Sequence, residues 1–311
     1  MLEKNDIAKF WNEGALLARD VLSEGETILL RHKIEGFIAT WESQGLAQRT
    51  LTGGRLAVDL LSVPVLRNLL LDSRIISVVR SILGTQPVYF GDSTLSYGSA
   101  SRGWHRDNRV CDRDNFSGLD WKGNYPIIRL GFYLQDHKIH SGGLGVRLGS
   151  HLPPDNNPFV HSKILPHYLR SILANHTGKP VNMGSTSGDL VIWSLKTLHS
   201  ADAVRLKWLP HFRVPPFLEN ITPNRAKIPH SVRRIACFMT FAASGEHLDR
   251  YLSYLHTRDY MLELWKKSVW DEESISMAKE AGLSLVNQKN IALRSSSNSM
   301  PVVPRRIEER V

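Results

Sequence analysis

Two short segments of the sequence carry side chains that could bind a metal ion. The first is Trp104-His105-Arg106-Asp107. In an extended segment, residues two apart point to the same side, so the His105 imidazole and the Asp107 carboxylate project together. The second segment contains His199, far enough along the chain for a later strand to return beside the first. Two histidines and one carboxylate form a facial triad, which suits Fe(II) and leaves coordination positions for a bidentate acid and O₂.

The same residue types allow other interpretations. His-x-Asp arises readily by chance in a chain with 13 histidines, and the simplest alternative is a surface strand with two polar side chains. A zinc hydrolase could use the same triad, although no general base is evident beside the ligands. A third alternative is a non-catalytic jelly-roll binding module. The two cysteines, Cys111 and Cys237, are too few for a disulfide framework or a cysteine-based zinc site.

The hydropathy pattern predicts the elements that must position these ligands. Residues 1–85 have helical periodicity, most clearly over 7–17 and 65–83. After Gly84, short apolar segments alternate with Gly, Asp and Ser, and four of them are predicted strands: 87–90, 127–134, 189–193 and 235–241. No helix-length pattern separates these strands regularly, so an antiparallel sandwich or barrel fits better than a βαβ sheet. Helical periodicity returns over 246–293, and the Ser-, Pro- and charge-rich residues 294–311 predict a flexible tail.

The composition excludes several classes of protein. The chain has 311 residues, of which 42% are hydrophobic and 22% charged, as in an ordinary globular protein. Its formal net charge is +9, but basic residues never run beyond adjacent pairs and no nucleic-acid motif is present, so we expect no nucleic-acid partner. No apolar run has the length of a membrane span and no secretory signal opens the chain, which predicts a cytoplasmic protein. The sequence does not indicate an oligomeric state.

Four blocks, in order, resemble the phytanoyl-CoA dioxygenase-like family of Fe(II)/2-oxoglutarate-dependent oxygenases. The resemblance runs from about Ser62 to Phe241, and the third and fourth blocks are specific in combination. The blocks are a helix over 72–84, the proximal His-x-Asp block at 103–108, a block from Tyr133 to His151 that ends Leu-Gly-Ser-His where the family has Pro-Gly-Ser-His, and a distal histidine block at 188–200. The family's fold is a double-stranded β-helix, a jelly-roll barrel. The resemblance therefore implies one oxygenase domain over 1–311 with a jelly-roll core at 86–245.

The resemblance also implies roles for individual residues. His105, Asp107 and His199 would hold Fe(II), and an arginine on a later strand would pair with the distal carboxylate of 2-oxoglutarate. An arginine is suited to this because its planar fork meets a carboxylate with two hydrogen bonds. Arg205 follows the distal histidine too closely, so Arg234, directly before the apolar run, is favoured over Arg233. Thr94 lies on the strand that resembles the family's first core strand, where its hydroxyl could contact 2-oxoglutarate.

Arg129 stands inside the otherwise apolar strand 127–134, where a charge is costly unless paired. Two interpretations are equally supported. The side chain could face an anionic group of the substrate or co-substrate at the barrel mouth. Alternatively, it could point outward or pair with an acid such as Asp92 or Asp136.

The remaining polar and proline-rich features are assigned more simply. His151 is expected to be a structural hydrogen-bonding residue, and His137, His140, His211 and His247 are expected to be solvent or loop residues. The segment 109–116 is too polar for a strand and is read as a loop. The segment 207–231 contains five of the fifteen prolines and several aromatic residues, which favours an ordered, lid-like insert over the site.

The sequence thus predicts a dioxygenase that uses Fe(II), 2-oxoglutarate and O₂ and releases succinate and CO₂. Related iron enzymes that halogenate lack the carboxylate ligand, so the presence of Asp107 favours hydroxylation of an unactivated C–H bond, with desaturation or ring chemistry as alternatives. The family's substrates are chemically diverse, so the substrate is predicted only as a small molecule. The positive charge and Arg129 favour an anionic one.

Overall fold

The computed structural model describes most of the chain. The described residues are 2–45, 48–50, 53–56, 58–84, 86–98, 104–109, 118–153, 178–201, 204–209, 214, 218, 221–229 and 234–297. Arg233, Cys111, His211 and the predicted tail from residue 298 onward lie outside them, as do most of the polar loop 109–116 and about half of the insert 207–231.

Helices precede and follow the strand-rich part of the chain. The described helices are α1 Lys4–Glu13, α2 Glu24–Ser43, α3 Pro64–Leu70, α4 Ser73–Leu83, α5 Glu246–Leu255, α6 Asp259–Lys267, α7 Glu272–Glu280 and α8 Lys289–Ser297. The predicted helices over 65–83 and directly after Glu246 are therefore confirmed, but the predicted helical ranges 1–85 and 246–293 also contain short strands at 15–18, 48–50, 53–56 and 284–285. Helix α8 also covers the first four residues of the predicted tail. Among the described residues, none of the helices combines the length and the apolar character that a bilayer crossing requires.

The strands form two main sheets. The described strands are β1 Ala15–Ala18, β2 Gln48–Thr50, β3 Gly53–Leu56, β4 Val88–Gly98, β5 Ile127–Tyr133, β6 Leu144–Leu148, β7 Lys179–Asn182, β8 Leu190–Ser194, β9 His199–Ala201, β10 Arg205–Leu206, β11 Lys227–Ile228, β12 Ile235–Ala242 and β13 Ser284–Leu285. The large sheet has the order β1-β8-β5-β12-β4-β3-β2, with β13 also on β4, and the small sheet has the order β7-β6-β9. Strands β10 and β11 form a separate pair. All four predicted strands are confirmed.

The large sheet is buried on both faces, and side-chain alternation decides which residues each face receives. One face packs on the helices, mainly with apolar side chains such as Leu130 of β5, Ile192 of β8 and Met239 of β12. The other face, the inner face, carries Tyr133, Trp193 and Phe238, which belong to one apolar cluster with Leu144 and Val146 of the small sheet. The two sheets therefore face each other across this cluster.

The predicted helix over 7–17 is wrong at its C-terminal end. Helix α1 ends at Glu13, and Gly14 follows with φ +79°, a backbone conformation in which glycine is favoured. The next four residues form β1, which pairs antiparallel with β8 in register Leu17 to Val191. The run Ala-Leu-Leu-Ala has no alternation, so its pattern alone does not separate a buried strand from a continued helix.

The C-terminal helices lie against the start of β4. The Tyr251 ring of α5 contacts Phe90 of β4 edge-on at 6.0 Å between centroids. The indole Nε1 of Trp265 on α6 donates to the Phe90 carbonyl at 3.0 Å. Helix α7 is held separately, because the Arg67 guanidinium of α3 donates to Asp271 and Glu273. The contact between Tyr251 and Phe90 places α5 beside the inner face of the large sheet.

Gly14 allows α1 to approach the turn before β9, and replacing it should destabilise the fold. Its carbonyl accepts from Thr197 Oγ1 at 2.6 Å, and a Cβ there would lie 2.3 Å from His151 Nδ1. We expect Gly14→Ala to lower the free energy of unfolding by about 3 kcal/mol, combining left-handed strain with overpacking. Gly45→Ala is the matched control, since Gly45 has φ +68° and open space around it, and should cost about 1 kcal/mol. Urea denaturation measures both, and equal losses would show that the close approach at Gly14 contributes nothing.

Candidate metal centre

The structure brings the three predicted ligands together. His105 and His199 form an antiparallel bridge in which each backbone N–H donates to the other residue's carbonyl, at 2.9 and 3.0 Å. Their ring centroids are 4.3 Å apart. Asp107 Oδ2 lies 3.6 Å from His199 Nε2, and one ligand atom from each residue lies within 4.8 Å of the others. This spacing suits three donors on one side of a single ion.

Residues between and after the ligands hold the His-x-Asp segment in place. Arg106 points away from the ligands, and its buried guanidinium donates to the carbonyls of Lys196 and Ser150, at 2.8 and 3.1 Å. The backbone N–H of Asn108 donates to the Leu195 carbonyl at 3.3 Å. Since Lys196 and Leu195 lie just before His199, these bonds tie the two halves of the triad to each other. The alternation that turns Arg106 away is the one that turns both ligands inward.

His199 is held in the tautomer that a metal ligand needs. Its Nδ1 lies 3.0 Å from the Thr197 carbonyl, which can only accept, so Nδ1 carries the proton and Nε2 presents its lone pair towards Asp107. Burial lowers the pKa of His199 to about 4, although the neighbouring Asp107 carboxylate opposes this. The imidazole is therefore neutral at physiological pH.

Asp107 is an ionised carboxylate with a fixed orientation. Burial acts to raise its pKa, but His199, Arg129 and His105, together with a hydrogen bond from Trp193, outweigh burial and hold the pKa well below the usual value. The Trp193 indole Nε1 donates to Oδ2 at 3.2 Å. The other oxygen, Oδ1, lies 3.8 Å from Arg129 Nη1. Both oxygens are thus positioned by the large sheet.

The structure answers the question of what Arg129 faces. Its side chain is 11% exposed and points to the inner face, where Nη1 lies 3.6 Å from Asp92 Oδ2 as well as near Asp107. Of the two acids considered, Asp92 is the partner. Asp136 instead accepts from the Lys138 backbone N–H at 2.6 Å. An outward-pointing Arg129 is excluded.

Arg234 and Thr94 also lie next to the inner face. Arg234 is buried, its Nε donates to the Gly142 carbonyl at 3.0 Å, and its guanidinium lies 5.5 Å from the centroid of the Tyr133 ring. Thr94 is buried on β4 and pairs in register with Phe238 of β12. Of the predicted co-substrate residues, Arg234 and Thr94 are therefore on the same side of the large sheet as the triad.

A series of aromatic contacts joins the triad to Arg234. Trp193 contacts the His199 ring at 5.4 Å and the Phe238 ring at 6.1 Å between centroids. Phe238 in turn contacts Tyr133 edge-on at 5.8 Å. The space between the three ligands and Arg234 is thus bordered by aromatic side chains.

The other histidines differ partly from expectation. His151 is confirmed as a hydrogen-bonding residue, with Nε2 2.8 Å from the Trp11 carbonyl. His137 and His140 lie in a loop as expected, but His137 is fully buried, with Nδ1 3.0 Å from Ser185 Oγ. His247 lies on α5, and its Nδ1 is 3.0 Å from Asp120 Oδ1. The sequence does not predict these contacts, because each partner is distant along the chain.

Sequence reasoning missed three residues that build the site. The sequence pattern indicates Trp193 only as a strand residue, yet its indole Nε1 donates to Oδ2 of the predicted ligand Asp107. Arg106 stands between two predicted ligands, and alternation could have placed it on the supporting side. Lys196 is 3% exposed, donates to the Asp120 carbonyl at 2.8 Å and lies 4.8 Å from the Trp121 ring centroid. No pattern in the sequence singles out Lys196.

The lowered pKa of His199 predicts how the metal-free protein responds to acid. A histidine whose pKa falls on folding contributes stability above its unfolded pKa of about 6.5, and this is lost as pH falls towards the folded value. Between about pH 7 and pH 4.5, wild type should lose about 2 kcal/mol more unfolding free energy than His199→Gln. Urea denaturation at a series of pH values measures this. Parallel pH profiles for the two proteins would contradict the assignment of a buried neutral His199.

Comparison with known proteins finds similarity at the level of the fold. No protein-family model matches the sequence, and no curated protein does. The structure resembles the non-haem alpha-ketoglutarate-dependent carbocyclase SnoK from nogalamycin biosynthesis, with 17% identity, 80% of this chain and 90% of that chain covered, and a TM-score of 0.53. AviO1 from Streptomyces viridochromogenes Tue57 has 18% identity, coverage of 79% and 97%, and a TM-score of 0.52.

Another neighbour was solved with ligands of the expected kind. EctD from S. alaskensis with bound Fe has 16% identity, coverage of 78% and 77%, and a TM-score of 0.51. A second EctD structure, with 2-oxoglutarate and 5-hydroxyectoine, has the same identity and TM-score, with coverage of 78% and 76%. The structural neighbours thus include iron- and 2-oxoglutarate-dependent proteins, as the sequence resemblance predicted, and this chain shares their overall fold.

Proposed function

We propose that this chain is an Fe(II)- and 2-oxoglutarate-dependent dioxygenase that hydroxylates an unactivated C–H bond of a small-molecule substrate. The observation that carries the proposal is the convergence of His105, Asp107 and His199, with ligand atoms within 4.8 Å of one another. The shared fold with iron- and 2-oxoglutarate-dependent proteins supports it. We propose further that residues 1–311 form one oxygenase domain in which the two facing sheets are the walls of a jelly-roll barrel.

The donor set fits Fe(II). Two imidazole nitrogens and one carboxylate are the ligands of the facial triad, and His199 and Asp107 are held in the neutral and ionised states that ligands require. Iron bound here, with 2-oxoglutarate and O₂, would supply the oxidation that releases succinate and CO₂ and hydroxylates the substrate. The chain's own contribution is to orient the ligands and to exclude water.

The arginine that binds 2-oxoglutarate is proposed to be Arg234. It shares the inner-face parity of Ala236 and Phe238, whereas Arg233 has the opposite parity. A guanidinium buried beside an aromatic ring is well placed to pair with a carboxylate that enters the same space. Thr94, in register with Phe238, is proposed as a neighbouring hydroxyl contact.

The inner face supplies a dry environment for the reaction. Tyr133, Trp193 and Val146 are each at most 1% exposed and belong to the cluster between the two sheets. Water excluded from such a site cannot compete with the co-substrate, and the polar groups that remain act more strongly in the low-dielectric surroundings.

Anaerobic titration with Fe(II) and 2-oxoglutarate tests the proposal. We expect a visible charge-transfer band in wild type and none in His199→Ala, because the triad then loses one donor. His151→Ala is the matched control, since His151 is a buried histidine that bonds the Trp11 carbonyl, and it should keep the band. Absence of the band in wild type, or its persistence in His199→Ala, would refute the assignment. O₂ consumption with succinate release separates this activity from zinc-dependent hydrolysis.

Titration of the same band with 2-oxoglutarate tests Arg234. We expect Arg234→Gln to weaken 2-oxoglutarate binding by about 100-fold, because removing a buried charged partner of a carboxylate costs about 3 kcal/mol. Arg205→Gln is the control, since Arg205 is also buried but donates to the carbonyls of His137 and His140. Arg233→Gln should also bind normally. The reverse result for the two adjacent arginines would assign the role to Arg233.

A further inference from the structure

A buried polar cluster behind Asp107 reaches from the triad to the C-terminal helices. It consists of Asp92 on β4, Arg129 on β5, Thr240 on β12 and Tyr251 on α5. Arg129 is the only charged residue of β5, and its register partners are Trp193 of β8 and Thr240 of β12. The side chains of Asp92 and Arg129 are 6% and 11% exposed. Groups buried to this degree are costly unless they are paired, so the geometry of their partners matters.

The cluster fixes Arg129 from behind. Asp92 Oδ2 accepts from Thr240 Oγ1 at 2.9 Å and from the Tyr251 hydroxyl at 3.0 Å, and lies 3.6 Å from Arg129 Nη1. One oxygen of Asp92 thus contacts polar groups from three different elements, namely β12, α5 and β5. Such a carboxylate has little freedom to rotate, and it holds the guanidinium in turn.

Arg129 lies beside Oδ1 of Asp107. Its Nη1 lies 3.8 Å from Oδ1, while Oδ2 lies 3.6 Å from His199 Nε2 and accepts from Trp193. The same guanidinium nitrogen already lies between two carboxylates. The charge of Arg129 is therefore already balanced within the cluster, which favours a positioning role over the substrate contact that the sequence allowed.

We infer that Arg129 is a positioning residue that holds Oδ1 of Asp107 so that the carboxylate offers a metal ion the single oxygen Oδ2. Asp92 and the Tyr251 hydroxyl hold Arg129 in that position, so helix α5 contributes to the geometry of the metal centre from outside it. This inference rests on the proposed function, because it assigns Asp107 as a metal ligand. Partners of this kind orient ligating groups in many metal sites.

Two substitutions that conserve charge test the inference. Tyr251→Phe removes only the hydroxyl that bonds Asp92, and Arg129→Lys keeps the positive charge but replaces the planar fork with a point charge. Because neither changes the net charge of the site, a change in metal affinity reports geometry. Tyr254→Phe is the matched control, since Tyr254 is a buried tyrosine on the same helix and packs in the same apolar cluster as Tyr251.

The measurements are anaerobic binding of Co(II) to the full-length chain and the ligand-field absorption of the bound ion. Loss of an outer partner of a ligand typically weakens metal binding by about 10–100-fold, so we expect a loss of about tenfold in Tyr251→Phe and of at least that size in Arg129→Lys. The absorption intensity should change in both variants, and Tyr254→Phe should match wild type. Circular dichroism confirms folding. If Arg129→Lys does not fold, Tyr251→Phe decides alone.

The outcomes distinguish the positioning role from the proposed function. If wild type binds Co(II) and both folded variants bind it with the same affinity and spectrum, the positioning role is wrong while the proposed function stands. If wild type binds no divalent metal ion, the proposed function fails and this inference fails with it. Weakened binding in Tyr254→Phe equal to that in Tyr251→Phe would show that helix packing, and not the hydroxyl, is responsible.

Discussion

The candidate metal centre depends on the pair of backbone hydrogen bonds that joins His105 to His199. The two residues are far apart in sequence, and closing so long a loop has an entropic cost that local contacts must offset. The offsetting contacts lie on the side of the segment away from the ligands. There Arg106 donates to the Lys196 and Ser150 carbonyls, and the Asn108 backbone N–H donates to the Leu195 carbonyl. One segment thus has two functions, since alternate residues bind the framework and present the ligands.

The large sheet imposes the second constraint. Its helix-facing side carries mainly apolar side chains, whereas its inner side carries Arg129 and Asp92 as well as aromatic rings. Each of these charged side chains has polar partners that offset the cost of its burial. Arg129 lies between two carboxylates, Asp92 accepts hydrogen bonds from two hydroxyls, and Arg234 donates to a carbonyl. A sheet built only for stability would not bury these groups, because apolar residues of similar volume would serve as well or better. The charged groups are therefore where chemistry is to be expected.

The sequence predicts those parts of the fold that depend on local pattern. The short apolar runs bounded by turn residues predict strands β5, β8 and β12. Alternation predicts that His105 and Asp107 share a side, while the addition of His199 rests on the family resemblance. Strand β1 was missed because a four-residue apolar run after a helix has no period of its own. The partner of Arg129 could not be chosen and the burial of His137 was not foreseen, since both depend on which distant strands become neighbours. Which strands pair is decided by the whole sheet, so the alternation within one strand cannot predict it.

The position of Asp107 shows how these constraints combine. A carboxylate can offer a metal ion one oxygen or two, and a facial triad keeps positions open for other ligands only when the carboxylate occupies a single one. Rotation of the Asp107 side chain would exchange its oxygens, and nothing in the His-x-Asp segment itself prevents this. The donors that distinguish the oxygens come from elsewhere, since Trp193 on β8 donates to Oδ2 and Arg129 on β5 faces Oδ1. The triad is therefore contributed by two short segments, but its orientation is a property of the large sheet and of helix α5, which packs beside its inner face.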